Sequence, residues 1–121
     1  MRRSTENEFA DGAEVSLGAS PLDLEHLSRQ TLGDETLALE ILSMFRQQTE
    51  ELGGRMHASD LQSRREMAHA LVGSARGVGA VELADCAAHI EKMPSDERSI
   101  TRLTGLIGEV NEFILALLRE R

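Results

Sequence analysis

The stretch from Ala68 to Ala80 reads AHALVGSARGVGA and contains the histidine whose neighbours best suit chemistry. Arg65, Val72, Gly73 and Arg76 lie at offsets of minus four, plus three, plus four and plus seven from His69, positions that share one face of a helix. At about 100° per residue, Leu61, Ala68, Leu71, Ala75 and Val78 form an apolar stripe. His69 falls roughly 130° from the centre of that stripe and is expected to face solvent. Two arginines, a small apolar side chain and a bare backbone would then surround the ring. A neutral imidazole is a competent nucleophile at cellular pH, and its phosphorylated form keeps a reactive P–N bond. Gly73 costs a helix interior about 0.5–1 kcal/mol relative to Ala. One turn beyond an exposed imidazole, its missing side chain lets another molecule's backbone approach the ring. Gly77 and Gly79 read as the loosening end of this helix, with Gly79 its C-terminal cap.

His69, Leu71, Gly73, Ser74, Gly79 and Ala80 resemble the signature of histidine-containing phosphotransfer domains. That signature commonly reads His-x-Leu-Lys-Gly, then small residues and a Gly-Ala. Val72 stands where the family carries its lysine. The resemblance covers residues 22–120 in helix order. It implies an antiparallel four-helix bundle whose exposed histidine carries a phosphoryl group between aspartates of receiver domains. Those receivers belong to hybrid histidine kinases and response regulators of a multistep phosphorelay. They would bring the aspartate and the Mg²⁺, so that no cofactor is intrinsic to this chain, while His69 and a docking face of Arg65, Val72, Gly73 and Arg76 come from here. The arginines would offset phosphate charge or meet an acidic receiver rim, and Arg76 is long enough to replace part of the missing lysine. The departure at Val72 keeps a second reading open, a non-phosphorylated bundle acting as a receiver-binding scaffold.

Other chemistry finds less support. No Gly-rich phosphate loop or Walker-type lysine is present, so ATP is not the expected donor. Cys86 and His89 are three residues apart, but two ligands make no closed metal site, and no second acid or base accompanies His69 for a hydrolase. His26, His57 and His89 read as surface or boundary residues, Asp85 and Glu91 as solvated charges, and Arg64 with Arg65 as a solvated face. A net charge of −8 and the near absence of aromatics, three Phe with no Trp or Tyr, disfavour a nucleic-acid partner. The longest apolar run, Phe113 to Leu118, is too short to span a bilayer, and Arg2-Arg3 is followed by no signal-peptide core. The single Cys86 cannot form an internal disulfide, which fits a reducing, cytoplasmic setting.

The elements that would position His69 follow from caps and periodicity. At 121 residues the chain has room for one domain. Residues 1–19 read as a flexible arm, and residues 20–121 as an all-α bundle with a short extra N-terminal helix. Ser20, Pro21 and Asp23 look like a helix start, and Gly33 like its end. Asp34 can cap a longer helix carrying Leu37, Ile41, Met44, Phe45, Leu52 and Met56. Gly53-Gly54 either bends that helix or admits a neighbour. Ser59 with Gln62 suggests a capping box for the histidine helix. Leu83, Ala87 and Ile90 mark the next helix, closed by Pro94. From Ser95 and Asp96 onward, Ile100, Leu103, Ile107, Val110, Ile114 and Leu117 alternate steps of three and four, a bundle seam. Short loops make consecutive helices antiparallel neighbours.

Overall fold

A computed structural model describes residues 20–120 and contains five α-helices with no strand among them. The flexible arm expected at residues 1–19 lies outside the described residues. The helices are α1 (Leu24–Gln30), α2 (Glu35–Met56), α3 (Leu61–Val78), α4 (Val81–Lys92) and α5 (Glu97–Arg119). The four long ones pack in a ring, α2 on α3, α3 on α4, α4 on α5 and α5 back on α2. This is the all-α four-helix bundle expected, with α1 laid across α2 and α3 as the short extra helix.

Aspartates start four of the five helices. Asp23, Asp34, Asp60 and Asp96 each accept a hydrogen bond from the backbone N–H three residues on, that of His26, Leu37, Ser63 and Ser99. Two starts therefore lie later than expected. Asp23 rather than Ser20 caps α1, leaving Pro21 outside the helix, and Asp60 rather than Ser59 caps α3. The Ser59 hydroxyl instead donates to the Arg55 carbonyl at 2.8 Å and ties off the end of α2. At the other end of α3, Gly79 adopts φ 82°, the left-handed cap expected for it, and the Ala80 N–H closes back on the Ala75 carbonyl at 2.8 Å. Gly79 meets a second demand as well. A Cβ there would lie 2.9 Å from the Asp23 carbonyl oxygen, and the Asp23 N–H donates to the Gly79 carbonyl.

The core is one cluster drawn from all five helices. Leu71, Leu83, Ile90, Ile100, Leu103 and Ile114 are almost wholly enclosed, so the seams read from α4 and α5 are the ones that pack. On α2 the buried positions are Leu42, Phe45, Thr49 and Met56, while Leu37 and Met44 are exposed. Gly53 lets α5 approach, since a Cβ there would sit 2.8 Å from Ile107 Cδ1. The helix continues through both glycines to Met56. Inside the bundle, Thr49 and Asn111 satisfy each other: the Asn111 amide donates to the Thr49 hydroxyl at 3.0 Å, linking α2 to α5.

Two expectations for α3 fail at its flanks. Leu61, placed in the core stripe, is 51% exposed, and Arg64, read as part of a solvated face, is only 5% exposed. Leu61 is the first residue of α3 and has no turn of neighbours before it. Arg64 fills the end of the bundle instead. Its guanidinium donates to the carbonyls of Met56, His57 and Pro94 at 2.9–3.1 Å and pairs with Glu97 at 2.9 Å. One buried cation thereby fastens the α2–α3 connection to the α4–α5 connection.

Candidate functional site

His69 sits on the third turn of α3 with its side chain 76% exposed, in the outward orientation the wheel requires. The neighbouring core residues explain why it stays there. Ala68 and Leu71 are fully buried on either side, and together they fix the rotation of the helix against α2 and α4. Gly73, one turn on, leaves the surface open: a Cβ built there meets nothing within 4 Å, and the same holds at Gly77. The line His69, Gly73, Gly77 is thus an exposed strip of helix with little side chain on it.

The other expected site residues divide. Arg65 and Arg76 are exposed, as the spacing requires. Val72 is not on the open face: it is 8% exposed and belongs to the core. Because α3 packs against both α2 and α4, its buried arc is wider than one stripe and takes in position 72. Arg65 is partly committed within the protein, donating from Nε to the Glu91 carbonyl at 3.2 Å and from Nη1 to Gln62 Oε1 at 3.4 Å. Arg76 lies in the last turn of α3, where a cation suits the helix C-terminus, and borders a shallow cleft with Asp23, His26 and Asp85.

One residue close to His69 was read only as a solvated charge. Glu91, in the last turn of α4, brings Oε2 to 2.7 Å from His69 Nδ1. Hairpin arithmetic could have found it. Residues 69 and 91 each lie 11 positions from Ala80, the pivot of the α3–α4 turn, so antiparallel helices bring them level. Nε2 of His69 has no hydrogen-bond partner among the described residues. The ring is anchored on one nitrogen and open at the other.

The Hpt domain family model matches residues 40–113, from the first turns of α2 to most of α5. The chain belongs to the Hpt domain family. No curated protein and no solved structure matches it. Hpt domains perform histidine phosphotransfer in phosphorelays and interact with receiver domains of two-component systems. The matched span holds α3 and α4 whole, and therefore both partners of the His69–Glu91 contact, while α1 falls outside it.

Elsewhere the ionisable groups serve the scaffold. Hydrogen bonds from His89 and Ser99 hold the Asp96 carboxyl below the usual carboxylate range, and Arg64, then His57, do the same for Glu97. Burial pushes the Cys86 thiol up, consistent with a small packed side chain. No group of His, Cys, Asp and Glu that could hold a metal ion is found among the described residues. No helix described is long and apolar enough to cross a membrane.

Proposed function

We propose that this Hpt domain relays a phosphoryl group between receiver-domain aspartates through His69. The observation that carries the reading is the exposed imidazole of His69 beside the unobstructed backbone of Gly73, inside the span that matches the family. Phosphoryl transfer asks mainly for positioning and charge neutralisation. The docking receiver supplies its aspartate and Mg²⁺; this chain supplies the nucleophile and a surface on which a receiver loop can close. Arg65 and Arg76 flank that surface and meet the phosphate charge or an acidic rim, with exposure limiting each contact to a modest contribution. Buried Val72 offers a partner only its edge. The cation that the family signature places at that position is then provided by Arg76, about 10 Å further along the helix axis from His69.

The test is transfer from a receiver domain phosphorylated on aspartate with a small-molecule phosphodonor. An acid-labile, alkali-stable label should appear on the wild-type chain and be absent from His69→Gln. A chain that binds phosphorylated receivers yet never acquires label would instead be a scaffold, and the proposal would be wrong.

A further inference from the structure

We propose that Met44 is a modification site: oxidation of its thioether to the sulfoxide by a peroxide weakens the docking of a receiver domain beside His69. This rests on the proposed docking of a receiver at His69 for its consequence, but not for its geometry. Between α2 and α3 runs an open cleft of about 670 Å³. Its walls include Ile41, Met44 and Phe45 of α2 and Ser74, Gly77 and Val78 of α3. No charged side chain lines it, in a chain whose net charge is −8. Gly77 belongs both to this cleft and to the bare strip that begins at His69, so the two surfaces are continuous. Residues 44 and 73 are equally far in sequence from the middle of the α2–α3 connection, so antiparallel helices bring Met44 level with Gly73. A receiver loop closing over Gly73 therefore meets Met44 at its edge. Uncharged walls suit an apolar part of that partner, and an unbranched, polarizable thioether adapts to its shape.

Exposure singles out this sulfur. Peroxides act on methionine thioethers and cysteine thiolates, and accessibility decides which of them react. Met44 is 67% exposed and Met93 53%, whereas Met56 and Met67 are buried. Cys86 is buried too, and burial pushes its thiol up, away from the reactive thiolate. Two sulfurs are thus open to an oxidant among the described residues. Met44 is the one on the docking side, since Met93, the C-cap of α4, lines no part of the cleft. Met44 also stands outside the core cluster, so that a change at its sulfur leaves the packing of the bundle alone.

The step balances with the peroxide as co-reactant. A lone pair of the Met44 sulfur attacks one peroxide oxygen, the S–O bond forms as the O–O bond breaks, and the departing hydroxide takes the proton of the transferred hydroxyl and leaves as water. Sulfur loses two electrons and the peroxide gains them. A methionine sulfoxide reductase returns the thioether. The sulfoxide is polar and well hydrated, and covering it with an apolar receiver surface forfeits that hydration without a new hydrogen bond. Docking is weakened while the His69 ring is chemically untouched.

Peptide mapping after mild hydrogen peroxide should find sulfoxide on Met44 and Met93 before Met56 or Met67. The oxidised chain should bind the receiver domain of the transfer assay about tenfold more weakly than the untreated chain, with an unchanged circular dichroism spectrum. Treatment with a methionine sulfoxide reductase should restore the affinity. Met93→Leu should show the same loss on oxidation, and Met44→Leu, compared with its own untreated form, should show none. Affinity that survives complete oxidation of Met44 overturns the inference, as does a loss that persists in Met44→Leu or a Met44 that stays reduced while Met93 reacts. An untreated chain that binds receivers but takes no phosphate would overturn the phosphotransfer reading, while the effect of the sulfoxide on binding would still decide the role of Met44.

Discussion

Two histidine–carboxylate pairs each draw one member from the C-terminal part of α4, and they differ in what the carboxylate is otherwise asked to do. His89 Nε2 is 2.9 Å from Asp96 Oδ2, nearly the distance between His69 and Glu91. Asp96, however, caps α5 and also accepts from the Ser99 hydroxyl at 2.9 Å, so its position is set by the helix start and the histidine merely completes it. A third pair, His57 with Glu97, resembles His69 with Glu91 in using Nδ1, but Arg64 already holds that carboxylate. Of the three carboxylates, Glu91 alone has the imidazole as its single side-chain partner among the described residues. A histidine beside a carboxylate is therefore not in itself a reactive group. The distinction lies in the carboxylate's other commitments and in the open backbone beside the ring.

The sharpest way to break this contrast is to delete each histidine. His69→Gln should abolish transfer while leaving stability within about 0.5 kcal/mol, because the side chain is mostly in water. His89→Gln should transfer phosphate at the wild-type rate. Equal losses in the two variants would mean that the surroundings do not discriminate between the rings.

The two adjacent arginines offer the next largest effect. Arg64→Ala removes a donor from three carbonyls, of which that of Met56 keeps the Ser59 N–H, and should cost about 2–3 kcal/mol in chemical denaturation. Arg65→Ala, on the exposed face, should cost less than about 1 kcal/mol and slow transfer instead. Similar stability losses would contradict the division between the fastening and the site.

Gly73→Leu tests the open strip. Helix propensity should raise stability by up to about 1 kcal/mol, since nothing within the protein meets the new side chain. Receiver affinity should fall about tenfold, equivalent to ~1.4 kcal/mol. Undiminished binding would place the partner on another face.

The smallest effect concerns acid stability. Asp96 and Glu97 titrate below their ordinary range in the folded chain, so each contributes stability above the unfolded carboxylate value, and that contribution disappears as pH falls through the lower folded value. Thermal melts should therefore soften below about pH 4, and Asp96→Asn should flatten part of that slope. A slope identical to wild type would show that the cap pair carries no such linkage.

Much of the bundle was legible because local rules and tertiary packing agree along it. The three-and-four spacing from Ile100 to Ile114, the Asp34 cap and the Gly79 stop each depend on residues within a turn or two. The two misplaced caps are local failures: Ser20 and Ser59 are adequate caps, but aspartates of about equal capping preference stand close behind them and take the N–H groups. The other failures occur where distant chain segments decide. Burial of Arg64 depends on carbonyls from two loops, one of them 30 residues away, which no helical wheel contains. Val72 was placed by a single stripe although two helices flank α3. His69 itself could be read from its own helix. Its partner Glu91 could not be read that way, because it reaches the ring across the α3–α4 hairpin.

The central claim, that His69 is the phosphoryl carrier, is tested most directly by locating the phosphate. The wild-type chain would be incubated with a receiver domain phosphorylated on aspartate, cleaved under alkaline conditions and mapped by mass spectrometry. The account predicts one acid-labile phosphate, on the peptide containing His69. Label on His26, His57 or His89 with His69 unmodified would contradict it.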